Sequence, residues 1–370
     1  MKKLLLLNVA ILFLSINLTA QETDSVKTRK VQISFGYPVG SNGINSMEYS
    51  NNFSFNILYG LNGGVNGAEI GSILNYNKGN VKGFQLAGVA NINTGYSQGF
   101  ILSGVSNICM DSTSGLLVSG VLNYSEQNSK GFQLSGVSNI CMGSTSGLLV
   151  SGVLNYSNQN SKGFQLATAN IATNEFRGFQ LGVINYAKKL NGVQLGVINY
   201  LNDGTEGLPI GIFSIVRNGY YELELSGGEV IYSNLNYKMG VEKFYTIYKA
   251  GYSSYKNNPV YSFGLGFGGN ISLSEKQNVS IDLTGNMIGY NNNWDSNLNL
   301  LNKVDFNYKY NFNKKNSFLV GPSFNVYITQ EKVDGEYGTL NIPYSIHTNE
   351  WSSGKLFMWF GLNAGLSLKL

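Results

Sequence analysis

Ser103 to Leu134 reads SGVSNICMDSTSGLLVSGVLNYSEQNSKGFQL, and Ser135 to Leu166 repeats it with only Asp111/Gly143 and Glu126/Asn158 differing. The copied segment is thirty-two residues long and itself contains two units. Followed outward, the same unit begins at Gly67, Gly83, Gly99, Gly115, Gly131, Gly147, Gly163, Gly178, Gly192 and Gly207. Six steps of sixteen residues are followed by steps of fifteen, fourteen and fifteen. Such a fixed period makes one supersecondary unit, stacked or paired many times, the organising principle of residues 67–215.

Within a unit the pattern has a period of two. Phe132, Leu134, Gly136, Ser138 and Ile140 share one face, and Gln133, Ser135, Val137 and Asn139 share the other. That alternation predicts a strand. Ten such residues match the roughly 9–11 needed to cross a bilayer as a tilted barrel strand. The units Gly178–Tyr186 and Gly192–Tyr200 lack one residue before their second glycine. In a strand such a loss would flip every later side chain, whereas a glycine-rich solenoid corner could absorb it. Duplication by two units favours a barrel, because an antiparallel meander grows in whole hairpins. The leading expectation is therefore an antiparallel up-and-down transmembrane β-barrel with the repeats in its wall, about 18–20 strands in all. The alternative is a β-solenoid repeat region followed by a smaller C-terminal barrel.

After the repeats the alternation sharpens. Val304, Phe306, Tyr308, Tyr310 and Phe312 alternate with Asp305, Asn307, Lys309 and Asn311. Leu265, Phe267, Ile271 and Leu273 form one apolar face, and Val279, Ile281 and Leu283 another. Tyr221, Leu223 and Leu225 alternate with Glu222 and Glu224 after Asn218-Gly219, a pair that predicts a hairpin turn. The final strand sets Phe360, Leu362, Ala364, Leu366, Leu368 and Leu370 against Gly361, Asn363, Gly365, Ser367 and Lys369. So greasy a strand at the chain end requires a partner that closes the sheet. It is similar to the C-terminal insertion signal of outer-membrane proteins, with Leu370 where Phe is commoner.

Composition agrees with an exported all-β chain. Charged residues are 12%, and there are 46 Gly, 24 Tyr and only 5 Pro. Lys2-Lys3, the apolar run Leu4–Leu14 and Leu18-Thr19-Ala20 follow the plan of a secretory signal peptide cleaved after Ala20. The net charge of +4 is spread without a Lys/Arg block, so no nucleic-acid partner is expected. The expected division is 1–20 signal peptide, 21–66 N-terminal segment and first strands, 67–215 tandem repeats and 216–370 C-terminal barrel strands. The expected location is the outer membrane of a Gram-negative-type bacterium. Its lipid and the barrel-assembly machinery are the expected partners.

Two units carry a further resemblance: Gly178-Phe179-Gln180-Leu181-Gly182-Val183-Ile184-Asn185 and Gly192-Val193-Gln194-Leu195-Gly196-Val197-Ile198-Asn199. They resemble a family of bacterial surface-repeat proteins built from tandem Gly-Val-Gln-Leu-Gly-Leu-Val-Asn-like units. The match covers residues 67–215. The resemblance implies a surface or outer-membrane protein, without an assigned reaction or functional residues.

Chemistry is sparse. His347 is the only histidine, so neither a His-based triad nor a multi-His metal site can form within one chain. It is expected in an exposed loop. Cys109 and Cys141 occupy equivalent places in the two copies. With their strands two apart, the backbones would stand about 9–10 Å from each other, too far for a disulfide. Asp282, Asp305, Glu222, Glu224 and Lys309 are expected to face a barrel interior. Paired carboxylates can serve as acid and base, but interior charges are the simpler reading. Asn75, Asn91, Asn107, Asn123, Asn139 and Asn155 are expected as hydrogen-bonded stacks or lumen-facing amides. Gly264, Gly266, Gly268 and Gly269 lack the helix and Lys-Ser/Thr of a phosphate loop. No catalytic, cofactor-binding or metal-binding residue is expected. The predicted role is non-enzymatic: structural, adhesive or a passive pore, or else surface binding by a solenoid.

Overall fold

The computed structural model describes residues 27–203, 206–294 and 297–370, so the expected signal peptide lies outside the described residues. The chain is all-β, a solenoid of about ten turns followed by a closed eight-stranded barrel.

The repeats form the solenoid, which corrects the expectation that they line a barrel wall. Each turn carries a seven-residue strand such as Thr113–Ser119 and a four-residue strand such as Leu122–Ser125. Both pair in parallel with their equivalents sixteen residues away: Gly115 with Gly99 and Gly131, and Asn123 with Asn107 and Asn139. A single barrel of 18–20 antiparallel strands is therefore excluded. The unit's alternation could not discriminate, because a strand has the same two faces in either arrangement.

Glycine makes the stacking possible. Gly131 has φ +114°, and a Cβ there would lie 2.2 Å from the carbonyl oxygen of Gly115 in the turn below. The residue missing before the second glycine is taken up at the glycine corner: Val150 pairs with Leu166 sixteen residues on, and Leu154 with Ala169 fifteen residues on. A further residue is lost at the opposite corner, where the pairing of Ala169–Leu181 with Ile184–Asp203 steps from fifteen to fourteen residues between Ala172 and Glu175. A solenoid tolerates such a step because each turn needs only to close on its neighbour.

The solenoid interior changes along its axis. Near the N-terminal end it is polar, with Asn56, Asn62, Glu69, Asn77, Gln85 and Asn93 buried. The middle turns bury Thr113, Ser125 and Cys141 at one end of the turn and Ile101, Leu117 and Leu149 beside them. The end nearest the barrel is apolar, where Ala172, Phe176, Ala187, Leu190, Leu201 and Val216 cluster with Val241 of the barrel.

Eight antiparallel strands close the barrel: Tyr220–Gly228, Ser233–Val241, Phe244–Tyr255, Asn258–Ser272, Gln277–Tyr290, Asn299–Asn311, Asn316–Thr329 and Gly354–Lys369. The last strand pairs with Asn316–Thr329 on one side and Tyr220–Gly228 on the other. The greasy chain end thus finds the closing partner its sequence demands. Asn218-Gly219 does not turn a hairpin between barrel strands; it joins the last solenoid strand, Leu208–Val216, to the first barrel strand. His347 is exposed as expected, but it begins a short strand, His347–Trp351, folded back on the final one.

The two parts touch through the outer face of the barrel. Thr246 and Tyr248 point away from the interior, and the last solenoid strand lies over them. Thr246 Oγ1 donates to the Gly211 carbonyl at 2.7 Å, and Tyr248 Oη to the Ile212 carbonyl at 2.6 Å. The Phe213 and Tyr248 rings stack with centroids 6.0 Å apart.

Candidate functional site

The barrel interior is a charge network. On it converge the alternate residues of neighbouring strands, so Glu222, Glu224, Lys238, Lys249, Asp282, Lys303, Asp305 and Lys309 are all buried. Four acids share the interior with four lysines, of which Lys238, Lys303 and Lys309 are ion-paired. Lys238 Nζ lies 2.7 Å from both Glu224 and Asp282 and 3.8 Å from Glu222. Lys309 Nζ reaches the two Glu222 oxygens at 2.6 and 2.8 Å and Tyr220 Oη at 3.2 Å. Tyr245 Oη donates to Asp282 at 2.6 Å, and Lys303 sits 3.1 Å from Asp305. Charge balance and dense hydrogen bonding are what make buried ions tolerable.

The expected inward facing of Asp282, Asp305, Glu222, Glu224 and Lys309 is found. Lys309, however, bonds Glu222 rather than the aspartates. Asp282 and Asp305 sit opposite each other on neighbouring strands but turn to different lysines. Lys238, Lys249 and Lys303 escaped the sequence reading. Their inward register was the available signal: Lys238 follows Asn234 and Asn236 at every second position. Ion pairs cross the lumen at Lys238 and Lys309. The space among Glu229, Lys249, Ser262 and Lys303 is about 10 Å³, room for about one water. The glycines Gly264, Gly266, Gly268 and Gly269 all lie within the barrel strand Asn258–Ser272.

The solenoid interior carries the asparagine ladder the sequence suggested. From Asn75 through Asn91, Asn107, Asn123, Asn139, Asn155, Asn170 and Asn185 to Asn199, each Nδ2 donates to the next Oδ1 at 2.8–3.0 Å. The same amide also reaches the long strand of the next turn, as Asn123 Nδ2 does to the Leu134 carbonyl at 2.8 Å. The ladder is therefore internal scaffolding, closed to ligands. Cys109 and Cys141 are buried and free, separated by Ser125 in the same column. Burial pushes the Cys141 thiol up to about 11, which leaves it inert.

Among the described residues, Glu69 is the one buried acid of this interior. Asn56 and Asn62 donate to its Oε1 at 3.0 and 2.6 Å, and Asn77 and Gln85 to its Oε2 at 2.7 and 2.9 Å. Burial raises its pKa to about 7 against the lowering effect of these four amides.

The outside of the barrel is apolar, and the solenoid exposes a row of apolar residues along one corner. On the barrel, Phe263, Leu283, Met287, Phe360, Leu362 and Leu366 are each more than half exposed. Aromatic pairs gather toward both barrel ends: Phe244–Phe267 and Tyr310–Phe312 at one, Tyr252–Tyr261 and Phe263–Trp294 at the other. Phe244 and Tyr252 are eight residues apart on one strand, about 26 Å at ~3.3 Å per residue. The middle of the barrel interior is polar, one end of it is filled by Val260, Ile288, Leu301, Tyr327 and Trp359, and the outside is apolar; so large an exposed apolar area marks an interaction surface.

Comparison with protein-family models, curated proteins and solved structures finds no match to this chain.

Proposed function

We propose that this chain is a non-enzymatic outer-membrane protein whose eight-stranded barrel is a plugged anchor, with a structural or adhesive role. The observation that carries the reading is the polarity of the barrel: aliphatic and aromatic side chains outside, and a set of four acids and four lysines inside. An exterior of that kind suits acyl chains, and the tyrosine and phenylalanine pairs near the two ends suit the boundaries of the hydrocarbon. The similarity of the repeat units to surface-repeat proteins agrees with it.

A passive pore is disfavoured, because the lumen is crossed by Lys238–Glu224, Lys238–Asp282 and Lys309–Glu222 contacts. On the rule that outer-membrane barrels turn tightly on the periplasmic side, the periplasmic end carries the turns after Val241, Ser272 and Asn311. The opposite end carries the long segment between Thr329 and Gly354, with Tyr344, Ile346 and Trp351 exposed. That end is the adhesive face in this reading.

Alkaline carbonate extraction of cell envelopes, followed by planar-bilayer recording, tests the proposal. The expected result is retention in the membrane pellet with no steady conductance. Release into the soluble fraction would overturn the membrane anchor, and steady conductance would overturn the plug.

A further inference from the structure

We infer that the solenoid is an amphipathic blade lying in the periplasmic leaflet of the bilayer that the barrel crosses, with lipid acyl chains covering its apolar edge. This rests on the barrel reading above and extends it to the other half of the chain.

Each solenoid turn is flat, with a corner at either side. One corner is the Gly-Val step between the two strands, and its exposed residues stack as Val89, Val105, Val121, Val137, Val153, Val183, Val197 and Ile212, with Thr168 in the same row. Next to it on the outer face of the long strand are Leu86, Leu102, Val118, Leu134, Val150 and Leu166, followed at mid-strand by the row that contains Phe84, Phe100 and Phe132. The opposite corner is polar, as in Ser125-Glu126-Gln127-Asn128, and Lys82, Lys130, Lys162 and Arg177 are exposed beside it. Next to that polar corner stands a row in which Tyr76, Tyr124 and Tyr156 on short strands, and Tyr186 and Tyr200 on Ile184–Asp203, are interleaved with isoleucines such as Ile108 and Ile140. Tyrosines and long basic side chains at the border between apolar and polar surface are the arrangement of a membrane interface. At ~4.8 Å per turn, ten turns make an apolar edge about 45 Å long.

The backbone of the apolar corner is satisfied from turn to turn. The amides of Val105, Val121 and Val137 donate to the carbonyls of Val89, Val105 and Val121 at 2.9, 2.9 and 3.2 Å. A segment can enter hydrocarbon only when its peptide groups are paired in this way.

The junction fixes depth and orientation. The apolar corner of the last turn, Gly211-Ile212, is bonded to Thr246 and Tyr248, above the tight turn that follows Val241. The polar-corner side of the same turn, at Val216, packs on Val241 and Phe244 next to that turn. The apolar edge is therefore aimed toward mid-height of the barrel wall and the polar edge toward the barrel end. Because this turn lies on an outward wall of the barrel, it stands where periplasmic-leaflet lipid would otherwise be.

The test is nitroxide accessibility in the full chain, reconstituted in phosphatidylethanolamine/phosphatidylglycerol vesicles. Cys109→Ser and Cys141→Ser clear the background; serine already occupies equivalent positions 125 and 157. Labels go at Val121→Cys and Val153→Cys on the apolar corner, Gln127→Cys and Gln159→Cys on the polar corner, and Leu366→Cys on the barrel. The expected result is severalfold greater collision with oxygen than with a nickel chelate at 121, 153 and 366, reversed at 127 and 159. Nickel access at 121 and 153 with oxygen access at 366 would overturn the blade and leave the barrel reading intact. Nickel access at all three would overturn the barrel reading itself. Spin–spin broadening at 121 that disappears on dilution with unlabelled chain would mean that a second copy covers the edge, and would also overturn the inference.

Discussion

Thr246 Oγ1 donates to the carbonyl of Gly211 across 2.7 Å, and this bond fastens the last solenoid turn to the outer wall of the barrel. An edge strand would otherwise present unpaired peptide groups beside a lipid-like surface. Removing the donor with Thr246→Val keeps the shape and leaves the carbonyl buried without a partner. The expected cost is about 1–3 kcal/mol. Hydrogen exchange should rise in Leu208–Val216 while the barrel strands Gln277–Tyr290 and Asn299–Asn311 stay protected; unchanged exchange at Leu208–Val216 would contradict the fastening role.

The charge network predicts a larger effect. Lys238→Met would strip Glu224 and Asp282 of their shared cation in a buried site. Breaking one partner of such a cluster costs about 3–5 kcal/mol. Urea unfolding in detergent micelles should show a midpoint far below that of the natural chain. A midpoint within error of it would mean that the lumen is wetter than the contacts indicate.

Asn123→Leu interrupts the ladder at its centre. It takes one acceptor from Asn107 Nδ2, which keeps the Val118 carbonyl, and removes the side-chain donor to Asn139 Oδ1 and to the Leu134 carbonyl on the other side. At about 1–3 kcal/mol for a buried polar group left without its partner, the solenoid should lose several kcal/mol or split into two unfolding steps. The substitution Met110→Leu at an exposed site provides the control, with no change expected in thermal unfolding.

Glu69 predicts a pH dependence. Its folded pKa is about 7 against an ordinary 4.5, so between those values the folded chain holds a proton that the unfolded chain has released. Stability contributed by this site is therefore highest below pH 4.5, falls as pH rises toward 7 and is flat above, a change of about 3 kcal/mol. Comparing urea unfolding at pH 5 and pH 8 in the natural chain and in Glu69→Gln isolates the effect. The natural chain should lose more stability across that interval than the variant, and equal losses would contradict the assignment.

Much of this arrangement is legible in the residues, and the misreading is equally physical. The spacing of Gly115, Gly131 and Gly147 fixes the turn length, and the equivalence of Asn107, Asn123 and Asn139 fixes which side chains stack. The alternation in Phe360–Leu370 sets the facing of the final strand. Parallel stacking and antiparallel pairing place Phe132 outside and Gln133 inside alike, so alternation alone could not separate a solenoid from a barrel wall. The shortened units at Gly178 and Gly192 were the better guide, because only a coil accommodates them without inverting a face. The junction was not legible: Thr246 and Tyr248 look like ordinary outward residues until the turn at Gly211 is placed on them. The partners of Lys238 were hidden for a similar reason, since Asp282 lies forty-four residues away and meets it only when the barrel closes.

A closed barrel built for lipid is tested most directly by electrophoretic mobility. Outer membranes extracted in mild detergent would be run with and without boiling. The barrel predicts that the unboiled chain migrates faster than the boiled one, because a closed sheet with a paired final strand resists dodecyl sulfate. A chain recovered without detergent, running at one position before and after heating, would contradict it.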